Sequence, residues 1–229
     1  MKKNVYISIL SVVTVLCIIC GTVWHMTGCS AMGISGDKRV EVTQQLEAFD
    51  SFYIDTDIMD VEIVSGSEYA IYYDAVKNYE PTYKIEAGKL IVNQKEERGK
   101  GWFTGLGSNS EMEMRITVPA DVTLSAIETS SDVGEVTIKG IAFEKGTMGT
   151  DVGDILVDTC EFKYLDIESD VGETEIKLIG QADEYTMELF ADVGEIEVED
   201  FKQGNTFKQS GTSDKVLIIN SDVGDIEVE

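Results

Sequence analysis

With 229 residues the chain has room for one or two domains, and its 43 acids against 18 bases set a net charge of −25. The first 36 residues hold no acid and only Lys2 and Lys3, so the remainder carries 16 bases against all 43 acids, a balance of −27. Such a surface excludes unaided binding to nucleic acid or anionic lipid and draws cations instead.

After the two lysines, Val5 to Trp24 runs for twenty residues without a charge. About 20 apolar residues cross a bilayer as a helix, whereas a signal-peptide core takes about 7–15. Lys2 and Lys3 keep the N-terminus in the cytoplasm, and Trp24 falls where an interfacial aromatic belongs. Residues 1–30 therefore read as a cytoplasmic stub and transmembrane anchor (or signal sequence), 31–48 as a linker, and 49–229 as an extracytoplasmic domain. A lipoprotein signal at Gly28-Cys29, behind a poor Met26-Thr27 lipobox, and cleavage after Cys29-Ser30-Ala31 stay open as alternatives. Cys160 is the single cysteine of the body, so no internal disulfide forms there. It reads as a small buried hydrophobe.

The body opens on FYIDTDIMDVEIV, Phe52 to Val64, with period-2 alternation. YKIEAGKLIVNQ then predicts a hairpin around Ala87-Gly88, and EMEMRITVPAD a strand stopped at Pro119. Between them lies GKGWFTGLGSNS, Gly99 to Ser110. It lacks the Gly-Lys-Ser/Thr ending of a phosphate loop, so it reads as a connection in which Trp102 and Phe103 could touch membrane or a partner.

From there one phrase recurs: SDVGEVTI, TDVGDILV, SDVGETEI, ADVGEIEV and SDVGDIEV. Its aspartates, Asp132, Asp151, Asp170, Asp192 and Asp222, are spaced by 19, 19, 22 and 30 residues, the longer intervals reading as extra return loop. Numbered from the motif valine as zero, small residues fill position −2 and mostly apolar ones positions −4, +3 and +5; +8 holds Ile141, Cys160, Ile179 and Phe201. The register is even before the valine and odd after it, so the pattern slips by one residue at Gly134, Gly153, Gly172, Gly194 and Gly224. Glycine there predicts a bend or bulge with positive φ. Each unit is strand, glycine corner, strand and return loop, too thin to bury its own apolar face unless stacked. Columns −4, −2, 0, +3 and +5 are expected to point inward. Ile58 takes the valine position of a sixth copy, in which Met59 replaces the glycine, so that corner must be built differently. The expected fold is all-β, a parallel β-helix or β-solenoid-like stack of repeats about 19 residues long, preceded by one transmembrane helix. Its last strand, ending at Glu229, is expected to form an open, acid-rich edge.

These residues together resemble the bacterial β-strand-repeat family named for adhesins, domain of unknown function 4097, common in Gram-positive bacteria. The resemblance rests on the basic start and apolar span, YKIEAGKLIVNQ, ITVPAD and the Ser/Thr-Asp-Val-Gly-Asp/Glu repeats, and covers nearly all of the chain past Val40. It implies a solenoid-like body on a membrane anchor, and some similar proteins accompany cell-envelope stress systems. The family supplies no catalytic residues, and none is assigned.

The functional expectation is a non-enzymatic, extracytoplasmic module for adhesion, cell-envelope binding or scaffolding. Its partners would be the membrane, through the anchor, and an envelope component or protein. A regulatory partner of a membrane signalling system is the alternative, and a polysaccharide-acting enzyme a third reading. His25 is the only histidine, which takes the commonest general base away from the body. The motif acids pose their own question, because equivalent acids on rungs ~4.8 Å apart repel one another. Either Asp132, Asp151, Asp170, Asp192 and Asp222 accept backbone N–H groups around their own corners, as in Asx-turns, or they hold Ca²⁺ together with the acids that follow the glycines. The first account is preferred and no cofactor is otherwise expected.

Overall fold

A computed structural model describes residues 39–95, 111–199 and 201–229. The expected membrane span and the Trp102-Phe103 loop lie outside the described residues, among which no helix is long and apolar enough to cross a membrane.

The alternating patterns form strands where they predict them. After β1 (Arg39–Gln45) come β2 (Ser51–Ile58) and β3 (Asp60–Gly66), the copy with Met59. Then follow β4 (Ala70–Val76), β5 (Thr82–Glu86), β6 (Lys89–Gln94) and β7 (Glu113–Pro119). The hairpin between β5 and β6 turns on Ala87 and Gly88, both at positive φ. The next copies are β8 (Thr123–Val133) with β9 (Val136–Lys139), β10 (Ala142–Val152) with β11 (Ile155–Asp158), and β12 (Glu161–Val171) with β13 (Thr174–Lys177). After a 3-10 turn at Ala182–Glu184 come β14 (Tyr185–Val193) with β15 (Ile196–Val198), β16 (Phe201–Gly204), β17 (Thr206–Gln209), and β18 (Lys215–Val223) with β19 (Ile226–Val228).

Strands before the corner form one sheet, ordered β17-β14-β18-β12-β10-β8-β2-β6-β5, and strands after it the other, β1-β4-β7-β3-β9-β11-β13-β19-β15-β16. The copies pair in parallel, and backbone bonds run unbroken round the bend. Gly153 N–H donates to the Val171 carbonyl at 2.9 Å, and Ile155 N–H to that of Glu173 at 2.9 Å. At each end the parallel array is closed by a rung running the other way. β4 and β5 lie antiparallel on β7 and β6, and β16 and β17 on β15 and β14. Part of the longest interval is therefore a capping rung and not return loop, because an open parallel edge would leave a row of unpaired donors and acceptors.

Columns −4, −2, +3 and +5 are buried in all five regular copies. One core lies between the sheets, with Phe143 stacked on Phe162 at 5.7 Å and Phe162 tilted against Tyr185 at 5.5 Å. Cys160 is fully buried, and burial pushes its thiol up to about 11. The rest of column +8 divides, with Ile141 buried but Ile179 and Phe201 exposed. Column zero departs from expectation outright: Val133, Val152, Val171, Val193 and Val223 are 45–60% exposed. Room inside the bend suffices for the small residue at −2, and the valine two places on already stands on the outside of the curve.

The stacking order also differs from the chain order. β18 lies between β12 and β14, and β19 between β13 and β15. The strand ending at Val228 is thus interior to its sheet, which overturns the expected open edge. The segment entering β18 reaches this place by crossing the 3-10 turn. Thr212 and Ser213 donate backbone N–H groups to the carbonyls of Asp183 and Glu184, and a Cβ on Gly211 would lie 2.3 Å from the Tyr185 carbonyl carbon. Lys38–Glu229 is one compact unit with its own core.

Candidate functional site, the outer corner of the stack

The bend is the most regular feature of the surface. Gly134, Gly153, Gly172, Gly194 and Gly224 have φ between +145° and +158°. A Cβ on any of them would lie 1.8–2.3 Å from the carbonyl oxygen of the corner residue on the next rung. Conformation and contact both require glycine. Met59 escapes because its φ is ordinary and its side chain turns into the core. Next to that rung β6 ends at Gln94, whose buried Oε1 accepts the N–H groups of Asp57 at 3.1 Å and Ile58 at 2.9 Å. The side-chain amide completes the ladder where a neighbouring backbone would have continued it.

Inside the bend, position −2 presents hydroxyls. Thr150 Oγ1 donates to the Gly153 carbonyl at 3.3 Å, and Ser221 Oγ to that of Gly224 at 3.5 Å. Thr56, Ser131 and the Gln94 Nε2, level on three adjacent strands, are buried without a protein partner. Ordered water meets such groups when they are roomy enough to hold it.

Outside the bend run three parallel lines. The middle one is apolar and, in stacking order, reads Ile58, Val133, Val152, Val171, Val223, Val193. On one slope lie the acids at position −1: Asp57, Asp132, Asp151, Asp170, Asp222 and Asp192. Burial, then the charges of Asp57, Asp151 and Asp55, push the Asp132 carboxyl above its ordinary value, against the pull of Lys95. On the other slope the acids at +2 extend beyond the repeats. Strand register puts Glu41, Asp74, Glu113, Asp60, Glu135, Asp154, Glu173, Asp225 and Glu195 level on nine adjacent strands. Among the described residues, basic side chains reach this row only near its ends, where Arg39 meets Asp74 at 2.8 Å and Lys202 meets Glu195.

How the like charges are tolerated differs from the expected Asx-turn. Among the described residues the carboxylates of Asp132, Asp151, Asp170, Asp192 and Asp222 accept no hydrogen bond. The acids at +2 do, and between rungs. Asp60 accepts the Glu135 N–H at 2.9 Å, Asp154 that of Glu173 at 2.8 Å, and Asp225 that of Glu195 at 2.8 Å. In stacking order this position alternates Asp and Glu without a break, from Asp60 to Glu195. The shorter carboxylate reaches the adjacent backbone, a charge-assisted bond that offsets repulsion. The motif acids stand one per rung in a line, and among the described residues no three His, Cys, Asp or Glu side chains gather to hold a metal ion.

Sequence patterns gave no sign that Glu41, Asp74 and Glu113 continue the acidic row, because only strand pairing makes them level with the repeats. A shallow depression of about 190 Å³ lies beside that row, lined by Glu62, Arg115 and Lys139 among others. The Arg115 guanidinium donates to the Glu62 carboxylate, and that bond raises its pKa still further above neutrality.

A capped, two-sheet stack of glycine-cornered rungs defines a repeat-built β class. The family model described as Toastrack DUF4097 matches residues 49–229, and the chain belongs to that family. Among solved structures it resembles a "putative cell adhesion protein" from Clostridium sporogenes, at 19% identity and TM-score 0.68, over 83% of this chain and 99% of that one. A "putative adhesin" from Bacteroides fragilis overlaps at 13% identity and TM-score 0.38, over 84% and 97% of the two chains. A "putative lipid binding protein" from Parabacteroides distasonis does so at 12% and 0.32, over 85% and 98%. The first likeness supports the fold, and TM-scores of 0.38 and 0.32 support nothing further. No curated protein matches the chain.

Proposed function

We propose that this is a non-enzymatic binding module, held at the extracytoplasmic face of the membrane by Val5 to Trp24, whose working surface is the outer corner. The observation that carries the reading is the row of valines left 45–60% exposed on the most rigidly specified part of the fold. A contiguous exposed apolar line is the mark of a contact surface, and a regular stack repeats it rung after rung. The motif acids sit at repeat positions, where architecture and not chemistry places them, and the body has no histidine.

Two measurements test this in intact bacteria expressing the full chain. A membrane-impermeant maleimide should label K163C without lysis, since Lys163 is exposed; labelling only after lysis would reject the extracytoplasmic address. A photoreactive residue at position 152 should form a discrete adduct that V133T/V171T abolishes. No adduct at 152, or the same adducts from position 163, would reject the corner as the working surface.

A further inference from the structure

We infer that the corner receives a lysine- or arginine-rich amphipathic helix of a partner protein, laid along the stack axis. This rests on the corner being the binding surface, and goes further by naming what it binds. The apolar line is one side chain wide and bordered on both slopes by acids that few bases neutralise. A second copy of this chain would bring the same charges and be repelled, and nucleic acid or anionic lipid likewise. What complements the surface is an apolar stripe bordered on both sides by cations.

The repeat distance selects the backbone of that partner. Rungs stand ~4.8 Å apart, and an α-helix returns the same face every ~5.4 Å. One turn therefore meets about one rung, whereas same-face residues of a strand recur at about 6.6–6.8 Å and fall out of step. Six apolar positions from Ile58 to Val193 make five steps, roughly 24 Å, the length of about 16 helical residues. Over that length the two periods slip by about 3 Å. The ridge thus reads charge and stripe, not a fixed sequence. Long cationic side chains cover an apolar ridge with their stems while their heads reach the acids on either slope.

The test uses residues 38–229 and a 16-residue helix with a Leu stripe bordered by Lys, followed by fluorescence anisotropy. Comparison peptides carry Glu in place of Lys, or the same lysines with Ser in place of Leu. The Leu/Lys helix should bind and the Glu version should not. V133T/V152T/V171T preserves shape and charge while removing apolar surface, and should weaken binding about tenfold. D151N/D154N/D170N should weaken it at least as much and flatten its salt dependence. E144Q/E161Q/D214N, neutralised at the far ends of the strands, should stay within about twofold, as screening of remote charges requires. Equal binding of the Lys/Ser peptide, or no effect of the three threonines, would reduce the surface to diffuse charge and overturn the inference. So would ridge-dependent binding to vesicles of a cationic lipid without binding to the helix. If the helix fails while position 152 still crosslinks in cells, the partner class falls and the binding surface stands.

Discussion

Replacing Gly172 with alanine should be among the most damaging small changes available at the corner. The new Cβ would stand 2.0 Å from the Gly153 carbonyl oxygen and 2.6 Å from its carbon, where ordinary contact begins at 3.4 Å. The two rungs would have to part by more than an ångström at the place where Gly153 N–H bonds Val171 and Glu173 N–H bonds Asp154. A φ of +153° adds its own penalty for an L side chain. Backbone strain of about 1–3 kcal/mol and overpacking of about 1–3 kcal/mol together make about 2–6 kcal/mol. That is a large part of a total stability of about 5–15 kcal/mol. In a domain of this size each kcal/mol moves Tm by about 2–4 °C, so a fall near 10 °C is expected. Gly149 supplies the control: it lies mid-strand on the outer face, and the nearest atoms to an added Cβ are at 3.9 and 4.0 Å. Thermal melts followed by circular dichroism should leave G149A near the parent or above it. If G172A melts within two degrees of the parent, or G149A falls as far, close rung-to-rung contact does not require glycine at the corner.

Gln94→Leu should cost about 2–4 kcal/mol by orphaning the N–H groups of Asp57 and Ile58, measured by urea unfolding; a loss below about 0.5 kcal/mol would mean that water replaces the amide. Asp132 and Glu227 have carboxyls raised by burial and then by neighbouring acids and, for Glu227, a hydrogen bond to Glu229. Groups that hold protons more tightly folded than unfolded lose stability as pH rises from the ordinary carboxylate range through their raised values. Tm should therefore rise as pH falls from neutrality toward the ordinary carboxylate range, less steeply in D132N, and a monotonic fall over that interval would refute the sign. About 0.5 M NaCl should raise Tm by screening the acidic rows, with calcium at matched ionic strength adding little. A saturable rise at sub-millimolar calcium, absent with matched NaCl and lost in D170N, would instead reveal a bound metal.

Period-2 alternation made the rungs legible, and the slip at each glycine located the corners, because both are local properties of the backbone. Column zero departs from the alternation for a geometric reason. Alternation assigns faces on a flat strand, and on a convex bend Asp132 and Val133 both turn outward. Stacking order was out of reach, since ADVGEIEV and SDVGDIEV present nearly the same pattern to any parallel neighbour. One trace of it was present at position +2: with Asp60, Glu135, Asp154 and Glu173 in chain order, short and long acids keep alternating only if Asp225 comes before Glu195. The acidic row contributed by Glu41, Asp74 and Glu113 was likewise hidden, because pairing between distant segments, parallel for β3 with β7 and antiparallel beyond, sets its register.

The displaced position of β18 and β19 has a consequence for the birth of the molecule. Both of its flanking rungs leave the ribosome first, so if β12–β13 and β14–β15 form before it arrives, they must face each other across an unfilled berth one strand wide in each sheet. Neither side can zip onto the other without leaving β18–β19 homeless, and the backbone groups lining the berth await one particular segment, residues 215–228. That segment acts as a keystone: the last repeat rung, with its capping rung, is fastened to the rest of the array only when it arrives. Until then a keystone from another copy fits equally well, so crowding of nascent chains would favour exchanged pairs over closed single molecules.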